Sequence, residues 1–187
     1  MSDNKAAWKV VDRQLLQDGS PWVKLFRETI ELPSGRQIDE FYHVDLPDFA
    51  VVFPVTVDNQ IVMVRGYKHG VRKTTLTLPS GMIEPGEDLL TGAQRELVEE
   101  TGYQSNQWQR IGKYITDANR HCGAMHLFVA RDAKQLRAPR VDDAEILTSE
   151  LFSPESLRRS LTSGEIDTLP AAAGAAMGLI VLGAESA

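Results

Sequence analysis

A single cysteine, Cys122, occurs in 187 residues. That excludes an intramolecular disulfide framework and a cysteine-based zinc site, and gives no sign of an oxidising compartment. Basic charge is also scarce: 20 Lys and Arg stand against 26 Asp and Glu, for a net charge of −6. No basic stripe is present, so a surface for nucleic acid or another polyanion is not expected. Long hydrophobic runs are missing as well. The longest apolar stretch, from Leu169 or Pro170 to Gly183, is rich in Ala and Gly. It is shorter than the ~20 residues that cross a bilayer, and reads as a buried closing helix. Met1 to Trp8 is polar, without a hydrophobic leader. The expectation from these absences is a cytoplasmic protein with no membrane or nucleic-acid partner.

What is present is the composition of an ordinary globular protein, 42% hydrophobic and 25% charged. The length suffices for one packed core with a small appended subdomain. An acidic protein that handles phosphates needs cations to screen the repulsion, which leans the charge balance toward a metal enzyme.

Alternation and turn chemistry organise the first third of the chain. Trp8, Val10 and Val11 lead to a Gly19–Pro21 turn, Trp22–Leu32 follows, and Ile38–Val44 comes after a turn at Pro33–Arg36. Period-two patterning broken by turns predicts three antiparallel strands, in a segment 1–46 set apart at Pro47 from 47–187. Further strands are expected at Phe49–Val57 and Gln60–Tyr67, joined at Asp58-Asn59, then at Thr75–Leu78, Trp108–Ile115, Met125–Ala130 and Ile146–Phe152. Pro79–Gly86 reads as a loop, and helices are expected at Asp88–Thr101, Pro154–Thr162 and Thr168–Leu182. Strands in runs with helices inserted late give an α+β fold or an α/β/α sandwich.

The helix that starts near Asp88 carries an unusual charge pattern. At about 100° per residue, Leu89, Leu90, Ala93 and Leu97 form the core-facing stripe. Glu96 and Glu100 lie at its edge, and Glu99 lies further round beside Arg95. Like charges three and four residues apart repel on a helix. Negative charge in the last turn also opposes the macrodipole, and a partly desolvated carboxylate needs a cation or a hydrogen-bond donor. Three local rules are broken within five residues, which is where function is to be looked for. Hard divalent cations take such oxygen ligands. The competing reading is a solvated acidic face balanced by Arg95 and Arg110.

The stretch Gly81–Tyr103 resembles, position for position, the Nudix box: Gly, five residues, Glu, seven residues, then Arg-Glu-aliphatic-x-Glu-Glu-x-Gly and an apolar residue. Gly81, Glu87, Arg95, Glu96, Leu97, Glu99, Glu100 and Gly102 match; Tyr103 stands where an aliphatic residue is usual. The resemblance implies an α/β/α sandwich with a mixed sheet, and a hydrolase for a nucleoside diphosphate linked to another moiety. It implies Mg²⁺ (with Mn²⁺ as a substitute) bound by Glu96, Glu100 and the backbone carbonyl of Ser80. Glu99 would be a further ligand or would orient Arg95. Glu87 would pair with Arg95 or reach a metal through water. The metals would neutralise the anhydride, acidify the attacking water and orient the leaving phosphate. No general base lies in the box; Glu145, in the acidic run Val141–Ile146, is the expected one, against the alternative that this run only solvates a loop.

Phe53–Val57, Ile61–Gly70 and Leu78–Gly81 are similar to the ADP-ribose and ADP-sugar pyrophosphatase branch. Its N-terminal three-stranded extension helps form a homodimer and part of the partner's substrate site. Two features depart from that branch: Thr77 replaces a usual Glu, and Tyr114–His121 lacks a usual Pro, so Asn119, Arg120 and His121 are candidates for contacting a different terminal group. Trp22 and Phe26 are candidates for stacking on adenine or for packing within the extension. Arg27 and Arg65 are candidates for clamping a phosphate or for surface pairs. His69, His121 and His126 show no zinc-ligand spacing, and surface or core roles are expected of them. GDP-mannose, NADH or a dinucleoside polyphosphate as substrate remain alternatives, as does a catalytically silent nucleotide sensor.

Overall fold

The computed structural model describes residues 7–139 and 146–184. In chain order the elements are β1 (Lys9–Gly19), β2 (Val23–Glu31), β3 (Gln37–Asp45), β4 (Phe49–Thr56), β5 (Ile61–Lys68), β6 (Lys73–Thr77) and β7 (Ser80–Met82). Then follow α1 (Leu89–Thr101), β8 (Tyr103–Gln104), β9 (Gln107–Asp117), β10 (His121–Gln135), β11 (Leu147–Phe152), α2 (Pro154–Ser163) and α3 (Leu169–Ala184). The fold is α+β, and the chain divides into two compact units.

The first unit comprises Met1–Asp48 and Ile115–Ala124, the latter being the tip of the β9–β10 hairpin. β1, β2 and β3 form the expected antiparallel extension, with bulges in β1 between Val10 and Asp12 and between Leu15 and Gln17. The hairpin tip joins it by a parallel register of His121 with Val44 and a hydrogen bond from Val44 N–H to the Arg120 carbonyl at 2.9 Å. Alternation along β9 and β10 announces strands but not which unit their tip packs in. β1 pairs with β2 alone among the described elements, and its side chains are exposed on both faces.

The second unit, Phe49–Tyr114 and Met125–Ala187, is built on a mixed sheet. β10 runs parallel to β4, while β5 is antiparallel to β4, β6 and β11. Alternate residues of β4 serve two cores. Val51, Phe53 and Val55 pack with Leu157 of α2 and with Ala171, Ala175 and Leu179 of α3. Ala50 and Val52 pack with Ala93 and Leu97 of α1 and with Phe128. A strand buried on both faces reads as a continuous apolar run, and Phe49–Val57 does. The result is the expected α/β/α layering, with α1 on one face and α2 and α3 on the other.

Two short strands differ from the sequence reading. β7 lies inside the segment expected to be a loop, where Ser80, Gly81 and Met82 pair with Val51, Ala50 and Phe49. β8 is a two-residue rung on β10. Both are too short to show a period. Leu90, assigned to the core stripe of α1, is instead among the exposed apolar residues, because the buried face is narrow and carried by Ala93 and Leu97.

Candidate functional site

The site is assembled where β7 leads through a tight loop into α1. Asp88 caps the helix: its carboxylate accepts from the N–H groups of Leu90 at 3.0 Å and Thr91 at 3.2 Å, satisfying donors that the first turn leaves open. Gly102 ends it at φ 72°, a left-handed conformation in which a side chain would collide with the Arg137 carbonyl. Caps at both ends fix the rotation of α1, and hence where its glutamates point.

Glu100 is buried, at 6% exposure, on the core side of the last turn. Its Oε2 accepts from the Ser80 N–H at 2.8 Å, so β7 and the helix meet at this carboxylate. One turn earlier, Glu96 lies directly over Gly81: a Cβ built on Gly81 would overlap the Glu96 carboxylate. Glycine is required there to admit charge rather than to bend the chain.

Arg95 holds the loop to the helix. Its Nε and Nη2 each lie 2.9 Å from a Glu87 oxygen, a bidentate pair, and Nη2 also donates to the Met82 carbonyl at 2.9 Å. Nη1 donates to Glu96 Oε1 at 2.6 Å and to Glu99 Oε2 at 3.3 Å. Glu87 in turn accepts from the Glu84 N–H at 3.0 Å, which closes the loop upon itself. The Arg95 guanidinium, seconded by that N–H, holds the Glu87 carboxyl below the usual carboxylate range. Its pairing with Glu87, and then with Glu96, keeps Arg95 protonated.

Three carboxylates thus converge on one guanidinium, and a fourth, Glu100, closes the pattern beside Ser80. An all-oxygen donor set with negative charge in excess suits a hard divalent cation and not a soft one. The donor chemistry therefore fits Mg²⁺.

Gly92 is a structural contributor that the sequence reading did not single out. A Cβ there would come within 2.6 Å of Ile83 Cδ1 and 2.9 Å of Glu87 Oε2. The signal was available, since glycine inside a helix costs about 1 kcal/mol against alanine and calls for a reason.

The structure gathers Ser80, Glu87, Arg95, Glu96, Glu99 and Glu100 into one cluster. The other candidates stand elsewhere. Arg65 is engaged by two carboxylates: Nε and Nη2 pair with Glu150 at 2.5 and 3.1 Å, and Nη2 reaches Glu165 at 2.9 Å. In the first unit, Trp22 is 64% exposed. Phe26 lies 3.8 Å beneath the Arg13 guanidinium, and Arg27 donates to Gln14 at 2.7 Å. Asn119 and Arg120 shape a turn in which both N–H groups donate to Asp117 Oδ1 at 2.7 Å. Glu145 lies outside the described residues.

A family model described as NUDIX domain matches residues 46–172. The chain is 35% identical over 138 residues to the methanol dehydrogenase activator of Bacillus methanolicus, covering 73% of this chain and 74% of that one. It is 28% identical over 145 residues to the ADP-ribose pyrophosphatase of Bacillus subtilis (strain 168), covering 77% and 78%. A solved structure of an ADP compounds hydrolase superimposes with a TM-score of 0.78 at 18% identity, covering 96% and 95% of the two chains, and bears on the fold alone.

Proposed function

We propose a function from one premise: this chain belongs to the Nudix hydrolase family, whose model matches residues 46–172. It hydrolyses the pyrophosphate bond of a nucleoside diphosphate linked to another moiety, with ADP-ribose or an ADP-sugar as substrate and AMP plus a sugar phosphate as products. The observation that carries this is the convergence of Glu96, Glu99 and Glu100 beside Ser80, held in place by the Glu87–Arg95 pair.

Glu96 and Glu100, with the Ser80 carbonyl, would hold Mg²⁺, and Glu99 would complete the set. A bound divalent cation neutralises anhydride charge and lowers the pKa of attacking water. The chain's own part is positional. Arg95 fixes the rotamers of Glu87, Glu96 and Glu99, and the Ser80 N–H fixes that of Glu100. Preorganised charge of this kind supplies catalysis without reorganisation at the moment of reaction. Glu145 is proposed as the general base. Trp22, Phe26, Arg27, Asn119 and Arg120 are proposed as contacts for the base, phosphates and terminal group. Arg65 is proposed in the same role only if phosphate displaces Glu150 or Glu165.

A homodimer through the N-terminal extension is also proposed. Trp8, Val10, Val11, Leu15, Leu16 and Trp22 are all exposed on β1 or beside it, more apolar surface than a lone edge strand usually shows. Light scattering on the eluting protein would test it: a mass of twice 20.7 kDa is expected.

The deciding experiment is product analysis with Mg²⁺ across ADP-ribose, ADP-glucose, GDP-mannose, NADH and diadenosine polyphosphates. AMP formed preferentially from ADP-ribose or an ADP-sugar is expected. Hydrolysis confined to another compound keeps the chemistry and moves the substrate. A second reading follows from the 35% identical relative, which is named as an activator of methanol dehydrogenase. Stimulation of an alcohol dehydrogenase by this chain, lost in Glu100→Gln, would support it.

A further inference from the structure

Among the described residues outside the acidic helix, one cluster of ligating side chains is not used by the proposed hydrolysis. His43 and Asp45 lie near the end of β3, two residues apart and therefore on the same face of the strand. His121 starts β10, some 76 residues further along the chain, and its register opposite Val44 sets it between them. His43 Nε2 lies 2.8 Å from Asp45 Oδ1, and His121 Nδ1 lies 3.8 Å from the same oxygen. The two imidazole rings stack at 5.4 Å with 13° between their planes. The three ligand atoms all fall within 4.8 Å of one another.

Several features fix this arrangement. Asp45 Oδ2 is taken by Arg13 Nη2 at 3.3 Å, which leaves Oδ1 to the histidines. Arg13 is itself anchored by the buried Glu28 at 3.3 Å and by the face of Phe26. His121, Cys122 and Gly123 all have positive φ, at 75°, 54° and 72°. Consecutive left-handed residues are costly for side chains other than glycine, and are retained where something else requires them. His121 Nδ1 lies 3.4 Å from the Gly123 nitrogen, a long contact that a metal bound at Nδ1 would replace. Two imidazoles and one carboxylate suit zinc and its neighbours, whereas magnesium prefers oxygen throughout.

We propose that His43, Asp45 and His121 bind one borderline transition-metal ion of the zinc class, and that this ion clamps the Asp117–Arg120 turn to β3. The sequence reading gave His121 a surface or core role, or a contact with the substrate's terminal group, because no metal spacing was visible. The spacing is created by the pairing of β3 with β10 and cannot be seen along the chain. The ion would tie the hairpin tip to the extension at a second point, beside the Val44–Arg120 hydrogen bond.

The test is zinc titration of the untagged, chelator-treated protein against a chromophoric chelator, with excess Mg²⁺ present to occupy the acidic helix. One equivalent of Zn²⁺ should bind in wild type and in Glu100→Gln. Asp45→Asn and His121→Asn should weaken it at least 10–100-fold, the range seen when even a supporting partner of a ligand is lost. Asparagine tolerates the positive φ of position 121, and circular dichroism checks that both variants fold. Zn²⁺ should also raise the melting temperature of wild type but not of Asp45→Asn, and should slow amide exchange in residues 116–123. Any of these results would overturn the site: no Zn²⁺ retained under Mg²⁺, equal affinity in both ligand variants, or loss of binding in Glu100→Gln. A Co²⁺ spectrum with a thiolate charge-transfer band that disappears in Cys122→Ser would move the ion to the cysteine and overturn it equally.

Discussion

α1 and α3 cover opposite faces of the same sheet, and both depend on glycine, for opposite purposes. On the α1 side, Gly81 and Gly92 leave room for charge: Glu96 fills the space over the first, and Glu87 with Ile83 that over the second. On the α3 side, Gly174 leaves room for Leu78 and Val51, and Gly178 for the ring of Phe53. The first pair lets the Glu96 carboxylate lie close on β7 and the Glu87 carboxylate close on α1, where ordinary packing would keep them out. The second pair lets an apolar helix lie close on an apolar sheet. Glycine next to charge marks the proposed site here, and glycine next to carbon marks packing.

The largest effect should come from removing charge on the α1 side without removing shape. Glu100→Gln keeps an acceptor for the Ser80 N–H and loses the negative charge. kcat/KM should fall on the order of 10²–10³-fold, with the melting temperature nearly unchanged. Full activity in the folded variant would sink the assignment of this helix as the catalytic one.

Gly81→Ala sharpens the contrast. Its new methyl group would meet the far end of Glu96, a side chain that can move without shifting the backbone though at the cost of its Arg95 pairing, so the fold should survive. The displaced carboxylate should nevertheless lower activity by about 10–100-fold, as misplacing a metal ligand does. A variant with wild-type kcat/KM would mean that the Glu96 position is not needed.

Much of this was legible in the sequence, because α1 obeys local rules. Its N-cap Asp88, its left-handed Gly102 and its glutamate spacing all act within one or two turns. α2 and α3 were equally plain, with Pro154 opening the one and a long apolar run making the other. Contacts between distant segments were not legible. Period alone could not show that Gly81 faces Glu96, that Arg65 is held by Glu150 and Glu165, or that His121 meets His43. β7 escaped notice because proline and glycine on either side of a three-residue strand look like loop chemistry.

On the α3 side the same kind of substitution should act through stability. Gly178→Ala gains about 1 kcal/mol in helix propensity, but its methyl group would press on the Phe53 ring, which is fully buried and cannot swing aside. Overpacking typically costs 1–3 kcal/mol, so a net loss of about 1 kcal/mol and a fall of about 2–4 °C are expected. Activity per folded molecule should be unchanged. A variant that loses activity but not stability would break the division between the two helices.

The smallest effect separates charge from shape within the acidic site itself. Glu87 has its carboxyl pKa lowered in the folded state, chiefly by Arg95. A depressed pKa means that the ionised form stabilises the fold above the ordinary value of 4.5, and that this contribution is lost as pH falls through the folded-state value. Glu87→Gln should therefore be less stable than wild type at neutral pH, and the gap should close in acid. Urea unfolding across pH, with chelator present to keep metals out, would measure it. A gap that stays constant with pH would mean that Glu87 acts by filling the space over Gly92, and the Arg95 pair would then be a matter of fit and not of charge.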